Sequence, residues 1–212
     1  MVVLRHISVA LSAAMAAVGT ALFLTLNLFY KRRTWTLESE YYTIREEQEE
    51  RSEKQVLVLG LDGAGKSSVL QGLSGARRCC RPTRGFNFIS LHTPACQLDF
   101  LEIGGGENLR KYWEDYLKRT HILVYVVDSS DRDRLPQAKD ELHRLLKAGM
   151  DFPVVVLGNK QDKPNVCSVP ELREALSLNA VDHQRNIFLL GSYGLSKTSG
   201  LQKLQDLILT LV

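Results

Sequence analysis

Apolar and polar positions divide the chain into three stretches. From Ile7 to Tyr30 no residue is charged; as a helix this run would be about 36 Å long, enough to cross a hydrocarbon layer of about 30 Å. Ser8, Ser12, Thr20, Thr25 and Asn27 lower its hydropathy, so an interfacial helix or a targeting segment competes with a transmembrane span. A cleaved signal peptide would have a shorter apolar region. The pattern then reverses. Lys31, Arg32 and Arg33 are followed by Glu38, Glu40, Glu46, Glu47, Glu49, Glu50 and Glu53 with few apolar positions, which reads as a charged spacer over residues 31–54 that buries little surface. From residue 55 onward, short apolar runs alternate with amphipathic stretches. They predict strands at 55–60, 86–92, 97–103, 122–128, 153–158 and 187–191, and helices at 66–74, 107–118, 135–148, 168–178 and 200–211. The expected fold is a doubly wound α/β domain over 55–212, a six-stranded, mostly parallel sheet flanked by helices and preceded by an N-terminal hydrophobic helix within 1–30. The strands around Thr93-Pro94-Ala95-Cys96 have no helix between them and should pair as an antiparallel hairpin.

The basic cluster after the apolar run, set against Arg5 before it, predicts that the bulk of the chain faces the cytosol. Residue 2 is not Gly and the C-terminal residue is not Cys, so attachment by myristoyl or prenyl groups is not expected and falls to residues 7–30. The sequence does not choose between the endoplasmic reticulum and the outer mitochondrial membrane. A length of 212 residues suits one compact domain with an appendage, expected to be monomeric, and a net charge of +3 dispersed along the chain gives no footprint for nucleic acid. Cys79, Cys80, Cys96 and Cys167 lack metal-like spacing and read as reduced thiols. Cys79-Cys80, beside Arg77, Arg78 and Arg81, is an incidental surface pair or an acylation site. His121 and His143 have no ligand partners at suitable spacing.

The chemistry begins where Val56-Leu57-Val58-Leu59 runs into Gly60-Leu61-Asp62-Gly63-Ala64-Gly65-Lys66-Ser67 and a helix follows. Strand, glycine-rich turn and helix in that order form a phosphate-binding loop. Its glycines let backbone N–H groups turn towards phosphate oxygens, Lys66 neutralises β and γ phosphates, the Ser67 hydroxyl suits magnesium, and the helix directs its positive end at the anion. Asn159-Lys160-Gln161-Asp162 follows a second buried run and addresses the base. A carboxylate at Asp162 can accept from both the ring N–H and the exocyclic amine of guanine, a donor pair adenine lacks.

Gly60 to Ser68, Pro82-Thr83-Arg84-Gly85-Phe86-Asn87, Gly104-Gly105, Val127-Asp128-Ser129 and Asn159 to Asp162 occur in the order found in small GTPases. Over residues 54–212 the chain resembles the ADP-ribosylation-factor-like (Arf-like) branch of the Ras superfamily. The resemblance implies a GTP/GDP switch with magnesium, whose nucleotide site comprises Gly60, Leu61, Asp62, Gly63, Ala64, Gly65, Lys66, Ser67, Ser68, Thr83, Gly105, Asn159, Lys160 and Asp162. Thr83 would ligate magnesium and sense the γ phosphate, and the Gly105 amide would contact the same phosphate. Tyr193, Gly194 and Leu195 are candidates for the base-contacting loop, although that alignment needs an inserted residue. The resemblance also implies effectors engaging residues 82–116, an exchange factor and an activating protein.

Switch II departs from the family. Leu101-Glu102-Ile103-Gly104-Gly105-Gly106 stands where the family has Trp-Asp-x-Gly-Gly-Gln. Gly106 has no side chain to orient the attacking water, so no catalytic residue is assigned and slow hydrolysis is expected. Glu102 replaces an aspartate that reaches magnesium through water; the added methylene either preserves that contact or shifts it, and Glu102, acting through water, completes the expected metal set with Ser67 and Thr83. Leu101 replaces the tryptophan of an aromatic effector patch that would otherwise include Phe86 and Tyr116, and Arg84 replaces an apolar residue. Two functions follow as expectations: a switch that recruits effectors at a membrane, or a constitutively GTP-loaded scaffold that does not cycle. A phosphate-loop kinase leaves Asn159 to Asp162 unexplained.

Overall fold

The computed structural model describes residues 20–27, 53–75, 83–94, 96–148, 151–181, 186–193 and 199–212. The chain divides into two units, Met1–Arg51 and Ser52–Val212. In the first, residues 20–27 form an exposed helix, α1, in which the Thr25 hydroxyl donates to the Leu22 carbonyl at 2.9 Å. No helix among the described residues is long and apolar enough to cross a membrane. The rest of the expected span and the spacer through residue 52 lie outside the described residues.

The second unit runs β1 (Glu53–Leu59), α2 (Lys66–Ser74), β2 (Phe86–His92), β3 (Gln97–Ile103), α3 (Glu107–Arg110), α4 (Trp113–Leu117), β4 (Ile122–Asp128), α5 (Leu135–Lys147), β5 (Val154–Asn159), α6 (Val169–Ala175), β6 (Ile187–Gly191) and α7 (Ser199–Leu211). The sheet order is β2-β3-β1-β4-β5-β6. Every neighbouring pair is parallel except β2 and β3, which form the expected hairpin with Phe86 opposite Ile103 and His92 opposite Gln97.

Because successive strand residues face opposite sides, the apolar runs feed two cores. Leu57, Leu59, Leu123, Tyr125, Val154 and Val156 pack with Trp113 and Leu117 of α4, Leu142 and Leu145 of α5 and Leu172 of α6. Val56, Val58, Val124, Val126, Val155 and Leu157 pack with Val69 and Leu70 of α2 and Leu201, Leu204 and Ile208 of α7. β1 lies between β3 and β4, and its C-terminal end delivers the glycine-rich loop to the middle of the sheet edge, where α/β folds bind ligands.

Several expected boundaries shift, among them α6, which ends at Ala175 rather than at 178, and two of the changes have a visible cause. β1 begins at Glu53 rather than at 55, because its first residues pair with Gln97 and Leu98. The helix expected over 107–118 is two short helices. Tyr112 N donates to Leu109 O and Asp115 N to Tyr112 O, so a tighter i to i+3 pattern breaks the α-helical run.

Candidate functional site

The loop between β1 and α2 wraps around backbone that the fold holds close. Gly60 has φ +142° and a Cβ there would collide with the Val126 carbonyl; Gly65 has φ +93° and a Cβ would collide with the Asn159 side chain. Only glycine meets both conditions. Lys66, 5% exposed, bends back so that its ammonium donates to Gly60 O at 2.9 Å and Leu61 O at 3.0 Å. Burial pulls its pKa down to about 8, against the attraction of Glu102 and Asp62, and Arg110 adds to the depression. A buried cation on a glycine-rich loop, at the start of helix α2, suits a polyanion.

Beside it, three oxygens from distant parts of the chain meet. Ser67 Oγ lies 2.7 Å from Glu102 Oε1 and 3.0 Å from Thr83 Oγ1, and Thr83 Oγ1 lies 3.0 Å from the same Glu102 oxygen. Asn87 Nδ2 donates to Glu102 Oε2 at 3.3 Å. Glu102 is 1% exposed on β3, held between β1 and β2. Two hydroxyls and a carboxylate are the hard oxygen donors magnesium prefers, so the expected metal set fits.

The segment after β3 closes on the same loop. A Cβ at Gly105 would collide with the backbone of Gly60, Leu61 and Asp62. Gly104 N donates to Gly85 O at 2.8 Å, tying this segment to the residues beside Thr83. Trp113 Nε1 donates to Gly104 O at 3.3 Å, and Arg110 Nε donates to Gly105 O at 2.7 Å. Arg110 also pairs with Asp62 at 3.4 Å and Glu141 at 3.6 Å, and Asp62 pairs with Arg134, also at 3.4 Å. Gly106 is different in kind: φ is −63°, ψ is 149°, and open space surrounds the position a Cβ would take.

On the base side, Asn159 is buried, its Nδ2 donates to Ala64 O at 2.9 Å, and its Oδ1 has no partner among the described residues. Lys160 adopts φ +62° and lays its ammonium on Gly63 O at 2.7 Å and Asp128 Oδ2 at 2.5 Å. Burial opposes ionisation of Asp128, yet hydrogen bonds from Lys160 and Ser130 hold its carboxyl below the ordinary value. Asp162 is exposed beside them. Gln161 N donates to Ser192 O and Ser192 N to Gly158 O, so the segment after β6 is docked on this loop. Ser192 Oγ is buried with no partner among the described residues, and Tyr193 is exposed. Gly194 and Leu195, like Pro82, Cys79 and Cys80, lie outside the described residues.

This geometry is matched by comparison with known proteins. The model of the ADP-ribosylation factor family matches residues 41–211. The chain belongs to the ADP-ribosylation factor family. ADP-ribosylation factor-like protein 9 of Homo sapiens is 45% identical over 168 residues, spanning 76% of this chain and 90% of that protein. ADP-ribosylation factor-like protein 10 of Mus musculus is 39% identical over 206 residues, spanning 86% of this chain and 85% of that protein. Among solved structures, the Arl6 (BBS3) small GTPase of Trypanosoma brucei, with bound nucleotide analogue GppNp, superposes with a TM-score of 0.68 at 26% identity, covering 76% of this chain and 98% of that one. The mammalian SRP receptor shares the fold, with a TM-score of 0.64 at 18% identity over 75% of this chain and all of that one. As an Arf-family small GTPase the chain is a GTP-binding switch, and magnesium is typical of the family.

Within this family frame, the fold brings together Gly60 to Ser68, Thr83, Glu102, Gly105, Asn159 and Lys160. Leu101 is buried rather than part of a surface patch, whereas Phe86, Phe88, Tyr112 and Tyr116 are exposed, Phe86 at 73%. Arg84 is exposed. His121 and His143 bond to backbone: His121 Nδ1 accepts from Gln55 N at 3.1 Å, and His143 Nε2 lies 2.8 Å from Leu176 O. Among the described residues no His/Cys/Asp/Glu group could hold a second metal. Sequence reasoning missed the roles of Asn87, Arg110, Trp113 and Arg134. Their partners lie on other elements, and no spacing along the chain points to them.

Proposed function

We propose that this chain is a guanine-nucleotide switch at a membrane, whose output is the recruitment of effectors and whose intrinsic GTP hydrolysis is slow. The observation that carries the reading is the closure of two separate segments on one phosphate loop: Thr83 against Ser67, and Gly105 against Gly60 to Asp62. A γ phosphate placed there would touch both segments, so its loss would release both. Lys66 and the loop amides would hold the phosphates, Asn159 and Asp162 the guanine, and Ser67, Thr83 and Glu102 the magnesium, which neutralises phosphate charge. Effectors would engage residues 82–116, where Phe86, Phe88, Tyr112 and Tyr116 present apolar surface. Residues 7–30 would attach the chain to the membrane with the nucleotide domain on the cytosolic side; an exchange factor and an activating protein would set its state.

A second reading, a constitutively GTP-loaded scaffold, is favoured by Gly106 itself, since the backbone and surrounding space admit any side chain and none is present. The two are separated by identifying the co-purified nucleotide by chromatography, then measuring single-turnover GTP hydrolysis by the full chain and by Gly106→Gln, with and without a membrane extract containing activating proteins. Bound guanine nucleotide, negligible turnover alone, partial recovery in the variant and stimulation by extract would support a cycling switch. No stimulation would favour the scaffold, and ready hydrolysis by the unaltered chain would overturn the assignment of slow turnover.

A further inference from the structure

We propose that Glu102 is a direct ligand of magnesium in this chain, in place of the water through which a shorter aspartate would act; the proposal rests on the guanine-switch reading. Ser67 Oγ, Thr83 Oγ1 and Glu102 Oε1 form a nearly equilateral triangle with edges of 3.0, 2.7 and 3.0 Å. Six-coordinate magnesium at about 2.0–2.1 Å from its oxygens sets adjacent ligands about 2.9 Å apart. The triangle therefore has the dimensions of one face of that octahedron, and one corner is the carboxylate itself.

Backbone and side chain both fix that corner. Glu102 pairs with Val58 of β1 and Asn87 of β2, so its Cα cannot retreat. Asn87 Nδ2 engages Oε2 at 3.3 Å, which sets the rotation of the carboxylate and leaves Oε1 facing the two hydroxyls. An aspartate on the same backbone is one methylene shorter, and its oxygen would fall short of this corner by about 1.5 Å. With Glu102 coordinated, three protein oxygens leave three positions, for two phosphate oxygens and one water. With Glu102 acting through water, two waters remain. Before the ion binds, the hydroxyls donate to the carboxylate; on binding they turn their protons away, and no covalent bond changes.

The test uses the full chain in detergent, loaded with Mn2+ and a non-hydrolysable GTP analogue, beside Glu102→Asp. Broadening of the Mn2+ electron paramagnetic resonance signal in 17O-enriched water counts the waters on the ion. The expected result is one fewer water in the unaltered chain than in Glu102→Asp, with Mn2+ bound about tenfold more weakly by the variant. Equal water counts, or metal binding by the variant as tight as in the unaltered chain, would overturn the proposal while leaving the nucleotide site intact. Failure of the unaltered chain to retain guanine nucleotide would overturn the switch reading, and this proposal with it.

Discussion

Lys66 is charged, buried and coordinated only by carbonyls, and its titration exposes that arrangement. In the unfolded chain it carries the ordinary lysine value of 10.5; in the fold, about 8. Between these values the unfolded state binds more protons, so Lys66 makes the nucleotide-free chain more stable as pH rises from about 8 towards 10.5. Thermal unfolding across this window should show the rise in the unaltered chain and its disappearance in Lys66→Met, which should also lose nucleotide retention. Gly106 gives the opposite case. With φ −63° and open space around it, Gly106→Gln should leave stability within about 0.5 kcal/mol, checked by urea denaturation, so any change in hydrolysis is chemical rather than structural. Much of the site was legible at this scale because Gly60, Gly65 and Lys66 act through local loop geometry, and Ser67 and Asn159, whose partners are distant, stand in contiguous motifs. Asn87 was not. Its amide matters only because antiparallel pairing sets it opposite Glu102, a register no single strand reveals.

At the scale of elements, the broken helix after β3 is what holds switch II. A continuous helix over 107–118 fits the apolar spacing of Leu109, Trp113, Tyr116 and Leu117, but the chain turns at Lys111-Tyr112, with Arg110 on Gly105 O before the turn and Trp113 on Gly104 O after it. These bonds fix the peptide that carries the Gly105 N–H and the peptide that follows it. Arg110→Met should therefore weaken binding of a GTP analogue about tenfold while leaving GDP affinity within about twofold, measured with fluorescent nucleotides. Trp113→Phe keeps a ring against Tyr125 but strips the donor from a buried carbonyl, at a cost of about 2 kcal/mol read by denaturant unfolding. Strands were more legible than helices here. A run such as Val154-Val155-Val156-Leu157 is buried on both faces and admits little else, whereas the helix break depends on contacts that no spacing rule contains.

For the whole molecule, the expected organisation separates a membrane-attaching segment from a nucleotide-binding domain. Deletion of residues 1–52 should leave guanine-nucleotide retention unchanged and abolish flotation with liposomes, whereas the full chain should float and resist carbonate extraction. Flotation lost to carbonate would mean that residues 7–30 lie on the membrane rather than span it. The fold class and the β2–β3 hairpin followed from the alternation of runs and from the connection Thr93 to Cys96, too short for a helix, whereas the strand order β2-β3-β1-β4-β5-β6 came only from the structure, because the alternation of runs does not say which strands become neighbours.

The buried ammonium of Lys66 also has a thermodynamic consequence. A domain that keeps a desolvated cation waiting for a polyanion, and an acceptor, Asn159 Oδ1, with no partner among the described residues, is completed by a nucleotide that carries both phosphates and N–H donors. By mass action, nucleotide at a thousand times its dissociation constant adds about 4 kcal/mol to the folded state, and each further tenfold adds about 1.4 kcal/mol. Melting temperature then rises with the logarithm of nucleotide concentration, so in a cell whose guanine-nucleotide pool is depleted, the abundance of this chain would fall along with its occupancy.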